Sequence, residues 1–394
     1  MNSDEGSRVF LDNKDVVEEI DIDEEELPDQ DDDYAGDNEA SQTELELEGE
    51  DEEDDSDHTF SGHTDSVYSV ACSPTDAGLV ATGGGDDIAF FWRIGEGTEP
   101  KELKGHTDSI AALAFSLDGS LLASGGLDGV VMIWDAVTGT LKQKLEGPGD
   151  AIEWVKWHPK GHLILAGSED FTAWLWNANS GACLNVFSGH SGAVTCGDFT
   201  PNGRVFCTGG GDGSLRIWNP KSAESTQVIQ GHPYHTQSVL CLAIHADSSF
   251  AITGSEDTTA CIVNLQNGRV TGSLAGHSKS VECVGLSSML PLAATGGMDG
   301  KLIIWDLQSL AQRSTCEHED GVIKMVWPSS SHLIYTGCLD AKVRIWDSRT
   351  GTIQRILQGH QDSILDLAVS RDGRFIVSGS DDGTARAYDL QYPS

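Results

Sequence analysis

Positive charge is scarce in this sequence. Its 394 residues include 24 Lys and Arg against 63 Asp and Glu, for a formal net charge of −39. Phosphate groups would be repelled by such a chain, and few cations are available to displace counterions, which argues against nucleic acid as a direct partner. An anionic membrane surface is disfavoured for the same reason.

Long apolar runs are also missing. None approaches the roughly 18–20 residues that a membrane-spanning helix needs, and the first residues lack the basic-then-apolar pattern of a secretory signal. The nine cysteines form no C-x-x-C pair, and most lie in apolar, strand-like runs, which favours buried free thiols. We therefore expect an intracellular, soluble monomer, located in the cytoplasm and also in the nucleus.

The motifs of familiar active sites are absent as well. The sequence contains no G-x-S-x-G elbow, no H-E-x-x-H, no P-loop and no dinucleotide-binding fingerprint, and no helical period follows its glycine-rich turns. His232 and His235 could suggest a metal pair, but zinc needs four ligands and no others accompany them. We expect no enzyme activity, no cofactor and no metal.

Acidic residues are concentrated at the start of the chain. Residues 1–58 contain 27 Asp and Glu against only Arg8 and Lys14, which leaves a net charge of −14 for residues 59–394. Such a stretch cannot bury enough apolar surface to offset the entropy of ordering its backbone. We predict a disordered acidic tail over residues 1–57 and a folded domain over 58–394.

The folded part repeats itself eight times, with a phrase close to Ile-Trp-Asp every 41 to 45 residues. The aromatic position of the phrase is occupied by Trp92, Trp134, Trp176, Trp218, Val263, Trp305, Trp346 and Tyr388. Six residues earlier stands an aspartate, namely Asp86, Asp128, Asp170, Asp212, Asp257, Asp299, Asp340 and Asp382. Four residues before it comes Thr82, Ser124, Ala166, Thr208, Thr253, Thr295, Thr336 or Ser378. Farther upstream lies a histidine, at His63, His106, His190, His232, His277, His318 and His360, and the third repeat has Pro148 instead.

This pattern resembles the WD-repeat family, whose period of about 40–45 residues corresponds to four strands per blade. The resemblance implies an all-β, eight-bladed propeller in which neighbouring blades stack because none can bury both faces alone. It also implies a buried structural hydrogen-bond network within a blade. Its complete sets are His106, Ser124, Asp128 and Trp134; His190, Thr208, Asp212 and Trp218; and His277, Thr295, Asp299 and Trp305. Residues 57–61 repeat an outer strand, so we predict that they complete the eighth blade.

The family pattern also marks the residues that face a partner at the entrance of the propeller. One set follows the apolar residue that begins each inner strand: Tyr68, Ala111, Glu153, Thr195, Leu240, Glu282, Ile323 and Leu365. The other set precedes each repeat aspartate: Gly85, Leu127, Glu169, Gly211, Glu256, Met298, Leu339 and Asp381. None of the sixteen is Lys or Arg and five are acidic, which predicts a site for a cationic peptide with Tyr68, Leu127, Met298 and Leu339 as apolar contacts. The alternative is an ordinary solvated acidic rim.

The third repeat departs most from the pattern. With Pro148 in place of histidine, Asp170 is expected to lack its partner. Trp154, beside the acidic Glu153, is a candidate binding hot spot. Trp157 fits either that role or the core.

Glu153-Trp154, Trp157-His158-Pro159, Leu165-Ala166-Gly167, Trp174-Leu175-Trp176 and Met289 to Ala294, together with the acidic start, resemble the angio-associated migratory cell protein family. The resemblance implies a dedicated chaperone that captures the basic N-terminal segment of a large-subunit ribosomal protein and escorts it to the pre-60S particle. The alternative it implies is a scaffold in signalling or cell migration. The acidic tail is interpreted as a solubility element with weak masking of the client, or as a placeholder over the rim.

Overall fold

The computed structural model describes residues 54–97 and 99–391, which form 32 β-strands and, within those ranges, no helix. Short β-branched and aliphatic runs alternate with turns, and every run becomes one strand of three to seven residues. No helix among these residues is long and apolar enough to cross a bilayer.

The strands form eight antiparallel sheets of four, which we call blades 1 to 8. Blades 1 to 4 consist of β2 (Val67–Cys72), β3 (Leu79–Gly84), β4 (Ile88–Arg93), β5 (Lys101–Lys104); β6 (Ile110–Phe115), β7 (Leu121–Gly126), β8 (Val131–Asp135), β9 (Leu141–Leu145); β10 (Ile152–Trp157), β11 (Leu163–Ser168), β12 (Thr172–Asn177), β13 (Cys183–Ser188); and β14 (Cys196–Phe199), β15 (Phe206–Gly209), β16 (Leu215–Trp218), β17 (Ser225–Ile229). Blades 5 to 8 consist of β18 (Val239–Ile244), β19 (Phe250–Ser255), β20 (Thr259–Asn264), β21 (Val270–Ala275); β22 (Val281–Leu286), β23 (Leu292–Gly297), β24 (Lys301–Asp306), β25 (Ala311–Glu317); β26 (Val322–Val326), β27 (Leu333–Cys338), β28 (Val343–Asp347), β29 (Thr352–Leu357); and β30 (Ile364–Val369), β31 (Phe375–Ser380), β32 (Ala385–Asp389), β1 (His58–Phe60).

The first strand of each blade lies against the first strand of the next, and β30 lies against β2. Eight inner strands therefore surround one axis, and the predicted eight-bladed propeller is confirmed. Apolar clusters fill the space between neighbouring blades, as between blades 2 and 3, where Ile133 and Ile164 are fully buried. The fourth strands lie outside, and most of their residues are exposed or half-buried.

The ring closes through the N-terminal strand. β1 pairs with β32, with His58 opposite Ala387 and Phe60 opposite Ala385. Phe60 is buried, and its ring stacks on Trp92 of blade 1 with a centroid separation of 5.2 Å. One strand thus completes blade 8 and seals its contact with blade 1.

The boundary of the folded domain lies earlier than predicted. Asp55 exchanges hydrogen bonds with the backbone of Gln358, at 3.1 and 2.9 Å, and Asp54 forms an ion pair with Arg386. Residues 54–57 therefore belong with the propeller and not with the tail. The rest of the predicted tail, residues 1–53, lies outside the described residues.

The buried network has the hydrogen bonds that the WD-repeat resemblance implies. In blade 2, Trp134 Nε1 donates to Ser124 Oγ at 2.9 Å, Ser124 lies 2.8 Å from His106 Nε2, and His106 Nδ1 lies 3.1 Å from Asp128. Blades 4 and 6 repeat this arrangement with His190, Thr208, Asp212 and Trp218, and with His277, Thr295, Asp299 and Trp305. A satisfied buried network of this kind fixes the register of the strands it joins.

In blade 5 the network histidine is His235, and the assignment of His232 was wrong. His235 Nε2 lies 3.0 Å from Thr253 Oγ1, and its Nδ1 lies 3.1 Å from Asp257, whereas His232 is exposed. The Tyr234 hydroxyl donates to Thr253 at 3.0 Å, replacing the indole that Val263 cannot supply. Because His235 is occupied in this way, it does not form a metal pair with His232.

In blade 3, Asp170 does not lack partners. Its carboxylate accepts hydrogen bonds from the backbone N–H groups of Gly149 and Thr172, both at 2.9 Å. The Thr172 hydroxyl also donates to Asp170, at 2.5 Å, and accepts a 2.7 Å bond from the indole of Trp174. A shorter network within one turn thus replaces the missing histidine.

We predict that His235→Ala destabilises the protein by about 2–4 kcal/mol, because it removes a buried hydrogen bond from both Asp257 and Thr253 and leaves a cavity where the ring was. His232→Ala should change the free energy of unfolding by less than about 0.5 kcal/mol, as exposed substitutions do. Urea denaturation followed by tryptophan fluorescence measures both. Equal effects of the two substitutions would contradict the assignment.

We also predict that Phe60→Ala lowers the free energy of unfolding by about 3–5 kcal/mol, the range for a buried phenylalanine. The control is Leu184→Ala on outer strand β13, where the side chain is 46% exposed and a loss below about 1 kcal/mol is expected. The same denaturation experiment applies. A small loss for Phe60→Ala would show that ring closure does not depend on this contact.

Candidate protein-binding site at the entrance of the propeller

The first predicted set of entrance residues lies at a β-bulge. In seven blades the pairing of the inner strand shifts at this residue, as between Ile152 and Trp154, where Glu153 is left unpaired. A bulge redirects one side chain without interrupting the strand. In blade 4 the residue is Thr195, which precedes β14 and bonds through its hydroxyl to the backbone carbonyl of Val239.

The second set lies beside the first at the same end of the propeller. Each residue before a repeat aspartate donates its backbone N–H to the loop that enters the inner strand of its own blade. Examples are Glu169 to Ala151 at 3.0 Å and Glu256 to Ser238 at 3.0 Å. All eight blades make this bond, so the sixteen positions share one face, which we call the entrance face.

Most of the predicted site residues are accessible there. Tyr68 and Leu127 are exposed, at 40% and 41%. The carboxylates of Glu169, Glu256 and Asp381 are also exposed, and four residues are half-buried, namely Glu153, Glu282, Met298 and Leu339.

The prediction of Trp154 as a binding hot spot is wrong, because its side chain is buried. Its side chain is 8% exposed, and its indole N–H donates to the carbonyl of Val194 at 2.8 Å. The ring packs between blades 3 and 4 over Gly167 and Gly197, where any Cβ would clash with it. Trp157 belongs to the core as well, with its indole bonded to Ala114 at 2.8 Å.

Four of the five acidic positions of the entrance face lie in one arc, and the opposite arc is mainly apolar. The acidic arc covers blades 3 to 6 and contains Glu153, Glu169, Glu256 and Glu282, together with the apolar Leu240 and Met298. The apolar arc runs through blades 7, 8, 1 and 2 and contains Ile323, Leu339, Leu365, Tyr68, Ala111 and Leu127, with Asp381 among them. The face can therefore offer charge on one side and apolar contact on the other.

Two carboxyl groups of the acidic arc form a pair. Burial, together with the hydrogen bond and the negative charge of Glu169, raises the pKa of Glu153 to about 7. Near neutral pH the pair therefore holds a proton for part of the time. A cation placed between them would displace that proton.

A lysine within this end of the propeller was missed by the sequence analysis. Lys324, on inner strand β26, forms a 2.7 Å ion pair with Asp366 of blade 8, which raises the pKa of Lys324. Asp366 also accepts a 2.9 Å bond from the backbone of Val70 in blade 1. Asp366 thus neutralises the charge of Lys324, and both residues lie on inner strands. A lone basic residue in a strand of otherwise apolar residues was the available signal.

Comparisons with known proteins identify the family. The WD domain, G-beta repeat model matches residues 55–93, 97–135, 139–177, 181–219, 223–264, 268–306, 311–347 and 351–389. The chain belongs to this WD40 repeat family. Its propellers are binding scaffolds and typically non-catalytic.

An uncharacterized WD repeat-containing protein of Schizosaccharomyces pombe is 36% identical over 386 residues, 95% of this chain and 96% of that protein. The human angio-associated migratory cell protein is 36% identical over 174 residues, 40% of each chain, so the match spans about two fifths of that relative. Neither relative has an enzyme's name.

Solved structures share the architecture. Chaetomium thermophilum Sqt1 superimposes with a TM-score of 0.80 at 24% identity, covering 86% of this chain and 100% of that one. A second crystal structure, of the same protein bound to the N-terminus of the ribosomal protein L10, gives a TM-score of 0.79 at 24% identity, over 86% and 100% of the two chains. At this identity the likeness establishes the fold. Within residues 54–97 and 99–391, no group of three or more His, Cys, Asp or Glu is arranged to hold a metal.

We predict that ionisation of Glu153 destabilises the fold. Its pKa is raised in the folded state from 4.5 to about 7, so stability from this group is present below pH 4.5 and is lost as the pH rises towards 7. Glu153→Gln, which cannot ionise, should lack this loss, and its stability relative to wild type should increase between pH 5 and pH 8. Denaturation curves across that range measure it. Parallel pH profiles for both proteins would show that the pKa of Glu153 is not raised in the folded state.

Proposed function

We propose that this protein is a dedicated chaperone that captures the basic N-terminal segment of a large-subunit ribosomal protein and escorts it for 60S assembly. The observation that carries the proposal is the acidic arc, where Glu153, Glu169, Glu256 and Glu282 lie on one face whose sixteen entrance positions include no Lys or Arg. Such an arc attracts cationic polypeptide and repels nucleic acid.

Two further observations support a peptide over a single ion. The apolar arc opposite the carboxylates can bury aliphatic or aromatic side chains, which supplies affinity that charge alone does not. Sqt1, which shares this fold, has been crystallised with the N-terminus of a ribosomal protein. A basic segment with interspersed apolar residues fits both arcs.

The charges also account for escort and release. A ribosomal protein is strongly cationic and would otherwise adhere to RNA or aggregate, and carboxylates on the chaperone mask that charge. Ribosomal RNA is a denser polyanion and can compete for the same cations. Because the contacts are electrostatic, binding should weaken as ionic strength rises.

The alternative function is that of a scaffold in signalling or cell migration, which the similarity to the angio-associated migratory cell protein suggests. Affinity capture from lysate at low and high salt separates the two. A ribosomal protein as the dominant, salt-sensitive partner supports the chaperone. A kinase, ligase or receptor complex as the dominant partner supports the scaffold.

We predict that Glu153→Lys combined with Glu282→Lys abolishes capture of basic clients and leaves the fold intact. The two substitutions place cations in the acidic arc and remove its attraction for the client. Fluorescence anisotropy with a labelled Arg-rich peptide measures affinity, and thermal unfolding verifies the fold.

The matched control is Glu99→Lys combined with Glu224→Lys. It changes the net charge by the same amount, but both residues are exposed and lie at the other end of the propeller, in the turn between β4 and β5 and in the turn between β16 and β17. The control should bind within about threefold of wild type, since distant exposed charges are screened. If the entrance variant binds the peptide as well as the control does, the proposed site is wrong.

A further inference from the structure

The rim of the entrance face is interrupted at blade 4. The positions that carry Glu153 and Glu169 in blade 3 are occupied in blade 4 by Thr195 and Gly211. The loop that enters blade 4 is equally small, with Gly192 and Ala193. All seven other entering loops have Asp or a longer polar residue at the Gly192 position: Asp65, Asp108, Asp150, Gln237, Lys279, Asp320 and Asp362.

Backbone contacts leave little room for side chains in this part of the rim. Gly211 donates its N–H to the Ala193 carbonyl at 2.8 Å. A Cβ added to Gly192 would lie 2.9 Å from the backbone nitrogen of Asp212, so a side chain there requires a backbone shift. Blade 4 therefore presents bare backbone where its neighbours present side chains. We call this gap the blade 4 notch, comprising Gly192, Ala193, Thr195 and Gly211.

An unusual aromatic residue stands next to the notch. Phe171, in the turn after Glu169, is 48% exposed and has a φ of 71°. Blades 2, 4, 6 and 8 place glycine at this turn position, at Gly129, Gly213, Gly300 and Gly383, all with positive φ. A bulky residue in the left-handed region is strained, and half of its ring gains no burial. The fold alone therefore does not explain phenylalanine here.

The repeat indicates which way this side chain faces. A Cβ on Gly129 would lie 3.1 Å from the carbonyl oxygen of Asp150, in the loop that enters blade 3, and one on Gly213 would lie 2.9 Å from that of Gln237, in the loop that enters blade 5. By the same geometry, Phe171 faces the loop that enters blade 4. It stands on one side of the notch, with Glu256 of blade 5 beyond the other side.

We propose that the blade 4 notch is the passage through which the bound basic segment leaves the entrance face, and that Phe171 is its aromatic wall. This inference rests on the proposed function and names the path and a specificity residue of the same site. A planar guanidinium can stack on the exposed ring while Glu169 or Glu256 accepts its N–H groups. The segment crossing the notch is accordingly expected to place an arginine there.

The first test measures the affinity of a labelled Arg-rich peptide for three variants. Phe171→Leu should weaken binding by about three- to tenfold through loss of the cation–π contact, and Phe171→Tyr should stay within about twofold of wild type. Ala341→Gly is the control, because Ala341 occupies the same turn position in blade 7 with a φ of 64°. It should not change the affinity. Unchanged binding by Phe171→Leu would overturn the role of the ring.

The second test concerns the path. Gly211→Met inserts a side chain into the notch without a close Cβ contact, and methionine is native at this position in blade 6, as Met298. It should weaken binding at least fivefold, whereas Gly161→Met should change it by less than twofold, because Gly161 lies in the turn between β10 and β11 at the other end of blade 3 and an added Cβ there meets nothing within 4 Å. Equal effects of the two would overturn the passage.

The two proposals can fail separately. If wild-type protein does not bind the peptide, the proposed function fails and the passage fails with it. If wild type binds and Glu153→Lys with Glu282→Lys does not, but the notch variants bind normally, only the passage is wrong. Thermal unfolding of each variant shows that the loss of binding is not a loss of fold.

Discussion

The structure depends on closing a ring of eight sheets with a strand from the other end of the chain. An open propeller would expose two sheet edges and one face of each terminal blade. β1 removes both edges by pairing with β32, and Phe60 fills the gap to blade 1 by stacking on Trp92. The acidic residues just before β1 reinforce the closure through the backbone of Gln358 and the guanidinium of Arg386. Every inner strand, and hence the entrance face, is positioned by this closure.

Much of the fold could be predicted from the sequence because its constraint is periodic. A blade cannot bury both of its faces alone, so a turn aspartate, a buried hydroxyl and an aromatic residue recur at fixed spacing. The same periodicity predicted which residues face the entrance, and the bulges and the backbone bonds of the turns place those residues at one end. The acidic arc could therefore be predicted as well, since it depends only on which residues occupy those positions.

The errors have local physical causes. His232 has the Gly-His context of the repeat, but the network depends on spacing, and His235 stands 22 residues before its aspartate, as His106 and His190 do. Trp154 follows a bulge that sets it and Ile152 on opposite faces of the sheet, so both are buried, against blades 4 and 2 respectively. A bulge has no composition signal of its own, and alternation alone cannot reveal it. The Glu153–Glu169 pair depends on the same bulge.

In this propeller, the residues that can distinguish one partner from another are those at which a blade departs from the repeat. Residues of the network are buried and interchangeable between blades, so they carry little information about a partner. Blade 3 has lost its histidine and its buried hydroxyl, yet the Trp174–Thr172–Asp170 chain still holds the turn that carries Phe171. Blade 4 retains a complete network beneath a rim reduced to backbone. Because the network and the rim are set by different positions, one blade can lose its standard network and the next its rim side chains without opening the ring.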